Sequence, residues 1–188
     1  MQSAFHLMYS PAIDCTPAPE DVIAQYQSVA PASLIEIWRT TGLGKYRNGL
    51  IEFVNPNEFK PNLITWLGKD QPHYIPFAIT GFGELLYFRK LTETEEDVCM
   101  VDIQYRQTSV LCLNFDRFLQ EYLTNEDNRN DIFREEFFIE LITANGPLAK
   151  HEIFTFVPIL ALGGNTGEPT VQKGNAQTYI DLVFTLTS

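Results

Sequence analysis

The stretch that decides the fold is His73-Tyr74-Ile75-Pro76-Phe77-Ala78-Ile79-Thr80-Gly81-Phe82-Gly83-Glu84-Leu85-Leu86-Tyr87-Phe88. Tyr74 to Thr80 is mostly β-branched or aromatic, and Leu85 to Phe88 is apolar, which is strand composition on both sides of a Gly-x-Gly turn. Gly81 and Gly83 can take positive φ, where a side chain would clash. An antiparallel hairpin buried on at least one face follows. Pro76 cannot donate to a ladder, so Ile75-Pro76 belongs at a strand start, a bulge or an edge.

Working outward, Pro19 suits a first helical position, with Glu20 and Asp21 in the first turn of a helix to about Ser28. Pro31 opens a second helix with Leu34, Ile37 and Trp38 at helical spacing, stopped by Gly42. Leu50 to Val54 reads as a strand. Pro56 starts a helix to Trp66, which Pro61 threatens to split. Beyond the hairpin, Leu91 to Asp97 reads as an acidic loop, followed by strands at Val98–Ile103 and Val110–Leu113. Helical spacing returns at Asn114 or Phe115. Asn125 to Asn130 reads as a polar loop, and Ile132 to Ile142 as a longer helix ended by Asn145-Gly146-Pro147. An apolar run from Phe156 to Leu162 stops at Gly163-Gly164-Asn165. Thr166 to Pro169 is expected to be a surface loop, and Ala176 to Leu186 a closing helix, although its Val183-Phe184-Thr185-Leu186-Thr187 end would also suit a strand. This order predicts an α+β domain, a central antiparallel sheet meander packed against several helices. Residues 1–17 read as an N-terminal arm (a short strand or loose), 18–113 as a half containing the sheet, and 114–188 as a helical half of the same compact domain.

Composition narrows the function. Among 188 residues, 45% are hydrophobic, with 14 Phe and 8 Tyr, enough for a sizeable core. The 24 acidic residues outnumber the 13 basic ones, giving a net charge of −11. Direct nucleic-acid binding is disfavoured, because it needs a basic footprint. A basic protein partner is easier. No apolar run is long enough for a membrane span, no signal peptide is evident, and widely spaced Cys15, Cys99 and Cys112 fit a reducing compartment. A cytoplasmic location is expected.

Chemistry-bearing motifs are sparse. Gly42-Leu43-Gly44, Gly81-Phe82-Gly83 and Gly163-Gly164-Asn165 are too short for phosphate loops. His151-Glu152 supplies two adjacent groups without a third ligand. Cys99 or Cys112 could meet His73 in space as a nucleophile pair, but apolar neighbours favour structural thiols. Neither a cofactor, a metal nor a catalytic residue is assigned. The acidic groups are the candidates for contact: Glu93, Glu95, Glu96 and Asp97 as one loop, and Asp127, Asp131, Glu135 and Glu136 as a rival face. Solvated faces and a carboxylate-dependent hydrolase are the alternatives for the same residues. Trp38, Tyr46, Trp66, Phe82 and Tyr87 are possible interface aromatics, with the two tryptophans in core phase. Phe82, between two glycines, either caps the core or protrudes toward a partner.

A family resemblance enters through particular residues. Trp38 with Gly42, Tyr46-x-x-Gly49, and Asn55-Pro56-x-x-Phe59 resemble the opening of the GAD-like domain of bacterial immunity proteins. Ile75-Pro76-Phe77-Ala78-x-x-x-Phe82-Gly83-Glu84 resembles that family's central segment and is similar to the broader SMI1/KNR4-like pattern. Gly146-Pro147-Leu148, Glu152, Phe156-Val157-Pro158 and Leu160-Ala161-Leu162-Gly163-Gly164 resemble the companion DUF1851, or Tdi1 C-terminal, domain. The resemblance covers about residues 18–186. It implies a non-enzymatic type VI secretion immunity protein that binds and neutralises a cognate secreted toxin, often a nuclease. An SMI1/KNR4-like regulatory adaptor is the alternative. The resemblance brings no catalytic residues with it.

Overall fold

A computed structural model describes residues 4–164 and 170–188; residues 1–3 and the expected Thr166–Pro169 loop lie outside the described part. Six strands form one antiparallel sheet in sequence order: β1 (Gly44–Tyr46), β2 (Ile51–Phe53), β3 (Tyr74–Thr80), β4 (Leu85–Lys90), β5 (Glu96–Asp102) and β6 (Gln107–Cys112). Short connections account for this order, since antiparallel neighbours need only tight turns. The exception is α4 (Pro56–Leu67), which bridges β2 and β3.

The β3–β4 hairpin forms as its composition predicts. Gly83 sits at φ +91°, which a side chain would strain. The ladder shifts register between Pro76 and Ala78, so Phe77 is the extra residue of a bulge. Pro76 lacks an N–H, and the bulge is where its loss costs the ladder least. The Phe77 carbonyl is used from the other side, accepting from Val54 N–H at 3.0 Å.

Side chains alternate between two cores. Leu86, Phe88, Val98 and Met100 face one core, while Leu85, Tyr87, Cys99 and Val101 face the other. The period of two along β4 and β5 therefore buries the sheet on both faces, beyond the single face the sequence demands. The first core receives α1 (Ala4–Met8), α2 (Glu20–Tyr26), α3 (Ala32–Thr40), α5 (Phe115–Arg117, continuing as a π-helical turn through Tyr122) and α7 (Glu135–Asn145). The second receives α4 and α8 (Ala176–Thr187), which are cross-linked by Asn62 Nδ2 donating to Asp181 Oδ1 at 2.7 Å.

Several segments differ from the sequence reading. The segment from Ala4 is held firmly: Phe5 and Tyr9 are buried and stacked at 5.3 Å, and Tyr9 Oη donates to the Leu123 carbonyl at 2.9 Å. Aromatic burial from a five-residue helix outweighs its weak intrinsic stability. Pro61 leaves α4 continuous, because it lies on the exposed side, where water can take the freed carbonyl. The polar stretch after Asn125 is helix α6 (Glu126–Asp131), since Asn125 caps it by accepting from Asn128 N–H at 2.9 Å. The longer helix begins only at Glu135, because Arg134 takes a left-handed φ of +53°. The C-terminal half is also not purely helical: β7 (Glu152–Phe156) and β8 (Val171–Asn175) make a two-stranded sheet. Phe154 N–H donates to the Gly81 carbonyl at 2.8 Å, docking that sheet on the turn of the central hairpin.

Candidate functional site

The nine candidate contact residues separate into exposed and interior sets. Glu93 and Glu95 are exposed, in a turn closed by Leu91 N–H donating to the Glu95 carbonyl at 2.9 Å. Glu96 faces inward enough to accept from Asn114 Nδ2 at 3.1 Å and Phe115 N–H at 2.9 Å, capping α5. Asp97 is 2% exposed and receives both arms of Arg89, at 2.8 and 2.6 Å. The stretch is therefore not one contact loop. Strand β5 begins at Glu96, and its alternation turns Asp97 into the protein, where a bidentate arginine satisfies it.

The second acidic group divides the same way. Asp127, Asp131 and Glu136 are exposed on α6 and the first turn of α7. Glu135 is buried between two arginines: Arg129 Nε donates at 2.7 Å, and Arg47 Nε donates to the other carboxylate oxygen. Burial works to raise the Glu135 pKa, but the hydrogen bonds and charges of Arg47 and Arg129 outweigh it and hold the carboxyl below its usual range. Arg47 also donates to the Met8 carbonyl at 3.1 Å, so this acid fastens the N-terminal helix to the rest of the domain.

Phe82 does not protrude. It is fully buried, stacked on Phe137 and Phe156 at 5.7 and 5.8 Å and edge-on to Phe138 at 6.0 Å. The turn that carries it is covered by the second sheet and α7, so its ring is a packing centre and presents nothing to a partner. Trp38, Tyr46 and Tyr87 are likewise buried, and Trp66 is half-buried with its indole N–H on the Ile180 carbonyl at 3.3 Å.

Charged and polar side chains secure the Phe82 turn. Thr80 Oγ1 donates to Glu84, Arg134 Nη1 donates to Glu84 Oε1 at 2.7 Å, and Gln104 Nε2 donates to the Phe82 carbonyl at 2.9 Å. Burial, and then the negative charge of Glu84, raises the pKa of Asp102. A second buried set joins Lys45 Nζ to Glu52 Oε2 at 2.6 Å and to the Glu152 carbonyl at 3.0 Å. His151 N–H donates to Glu52 at 3.0 Å, and burial lowers the ring's pKa despite the nearby carboxylates of Glu52 and Glu58. These groups satisfy one another, which is a structural arrangement.

The Cys99 thiol is pushed up to about 12, first by burial and then by Asp97, which is opposite to a reactive thiolate. Among the described residues, no group of three or more His, Cys, Asp and Glu side chains is placed to hold a metal ion. Nor is any helix among them long and apolar enough to cross a membrane. The exposed apolar residues instead mark two places absent from the sequence reading. Tyr105, Val110 and Leu113 line the outer strand β6 and its ends. Val157, Leu162, Leu182 and Leu186 border a groove of about 410 Å³ beside α8. The sequence shows these residues as apolar but not that they lie exposed among the described residues.

The architecture is that of an α+β protein with a double-sided antiparallel sheet. It is shared by Atu4351 from Agrobacterium tumefaciens, whose crystal structure superposes with a TM-score of 0.72 over 98% of this chain and 88% of that one, at 18% identity. At that identity the likeness speaks for the fold. The GAD-like domain family matches residues 3–101, and the family described as T6SS immunity protein Tdi1, C-terminal, matches residues 113–187. The chain belongs to the GAD-like, Tdi1-type family of type VI secretion immunity proteins. No protein of curated function matches it.

Proposed function

We propose that this protein acts in the cytoplasm by binding a cognate secreted toxin and neutralising it, without chemistry of its own. The observation that carries this reading is the pair of family matches, which follow one another along most of the chain. The net charge of −11 favours a toxin with a basic surface, and a nuclease is the class whose working face needs one. Of the candidate acids, those free to meet such a face are Glu93, Glu95, Asp127, Asp131 and Glu136, all exposed. Glu96, Asp97, Glu135 and Phe82 support the surface from within.

Titration calorimetry against the catalytically inactivated product of the adjacent toxin gene tests this. One-to-one nanomolar binding that weakens with salt is the expected result. Replacing Glu93 and Glu95 with Gln should weaken binding several-fold and flatten the salt dependence, since rim charges act mainly on association rate. No binding by the folded wild-type protein would overturn the assignment.

A further inference from the structure

We propose that β6 is the docking strand for the toxin, receiving a short, extended, basic segment of it as a seventh strand. This deepens the reading above and rests on it. The sheet order ends at β6, and its outer side pairs with no strand among the described residues. An outermost strand leaves alternate backbone N–H and C=O groups directed at solvent, a template for another strand.

Composition leaves this template undefended. Gln107-Thr108-Ser109-Val110-Leu111-Cys112 contains no proline and no charge, the usual means of keeping an edge from pairing. Its one blunting feature is local. The ladder shifts register so that Val98 pairs Cys112 while Cys99 pairs Val110, making Leu111 a bulge. Regular strand geometry is confined to Gln107–Val110, and those four residues are the exposed ones of the strand. A partner strand of about four residues, spanning roughly 13 Å, fits this length. Backbone pairing would supply affinity, and exposed Val110 and Leu113 would supply apolar contact.

Charge chooses the occupant. A second copy of this chain would bring another −11 to the interface, whereas a cationic segment is drawn in. The attraction is greatest at the Leu113 end. There Glu96, holding Asn114 and Phe115, ties the exposed Glu93–Glu95 turn to the exit of β6. Lysine or arginine of the incoming strand belongs at that end.

The test uses the full chain and the catalytically inactivated toxin. In the complex, backbone amides of residues 107–110 should gain at least tenfold protection from hydrogen exchange. Val110→Lys places a cation on the edge and should weaken binding at least tenfold, while Val110→Thr should leave it within about threefold. If the wild-type protein binds but these amides gain no protection and Val110→Lys binds equally well, the edge assignment fails and neutralisation stands. If the wild-type protein does not bind, both fail. A dimer of the protein alone that Val110→Lys dissolves would give the edge to a second copy and overturn the assignment. Protection is measured on the wild-type protein, so the outcome does not depend on the variant folding.

Discussion

The two edges of the six-stranded sheet are treated in opposite ways. At β1, the chain before it returns as a strap. Ala12 N–H donates to the Lys45 carbonyl at 2.8 Å, Arg47 N–H to the Ser10 carbonyl at 3.1 Å, and Thr16 and Leu43 exchange bonds of 3.0 and 2.7 Å. Pro11 and Thr16 make isolated bridges to Tyr46 and Leu43. Prolines at 11, 17 and 19 then limit what the strap itself can pair with. At β6 no such cover exists among the described residues, and the strand carries neither charge nor proline. A fold that closes one edge with several aligned bonds has the means to close an edge. Leaving the other bare concentrates the capacity for new backbone pairing on one side of the molecule.

The strongest way to break the contrast is to release the strap. Phe5→Ala removes a fully buried ring that anchors α1, and should cost about 3–5 kcal/mol, read as a lower denaturant midpoint. Exposure of the β1 edge in that variant should appear as new aggregation at concentrations the wild type tolerates. Next is Gly42→Ala, at the turn leading into the strap's contacts. Gly42 has φ +85°, and a Cβ there would collide with the Thr16 carbonyl. About 2 kcal/mol of destabilisation is expected in thermal or denaturant unfolding.

Glu135→Gln acts on the same anchor through charge. It weakens the junction of Arg47 and Arg129 and should cost about 2 kcal/mol near neutral pH, discounted because Arg47 is partly exposed. The wild-type carboxyl has a folded pKa below its reference of 4.5, so its stabilisation is whole above that value and is lost as pH falls through the lower folded one. The variant's stability should therefore fall less steeply in acid. His151 gives a milder effect at higher pH. Its folded pKa lies below 6.5, so stability is whole above 6.5 and declines as pH falls through the folded value, and His151→Gln should flatten that part of the profile. The smallest effect sharpens the comparison from the other side. Tyr105→Ser and Leu113→Ser near β6 should change stability by no more than about 0.5 kcal/mol, since both side chains are exposed. A large loss from either would mean that this edge is structurally supported after all.

Much of the fold was legible in the residues themselves. The hairpin followed from β-branched and aromatic runs around Gly81 and Gly83, and Pro76, with no N–H to give, left a strand start, a bulge or an edge, of which the fold takes the bulge. The closing helix over Ala176–Thr187 followed from the spacing of Tyr179, Val183 and their neighbours. The candidate contact residues were less legible. Asp97 and Glu95 are both acids in one polar run, yet one faces Arg89 inside and the other faces water. Phe82 could be assigned either to the core or to a surface until β7 was seen to dock on the turn that carries it.

The sequence by itself determined the α+β class, the hairpin at its centre, the acidic balance and the family resemblance, because periodicity, turn chemistry and charge are local or additive properties of the chain. Tertiary structure alone decided which acids are exposed, that Phe82 is interior, and that β6 rather than β1 is the bare edge. Those outcomes depend on which distant segments come to lie against each strand: Arg47 and Arg129 on Glu135, the second sheet on Gly81, and the strap on β1. No spacing along the chain encodes such a meeting, which is set by the packing of both faces of the sheet at once.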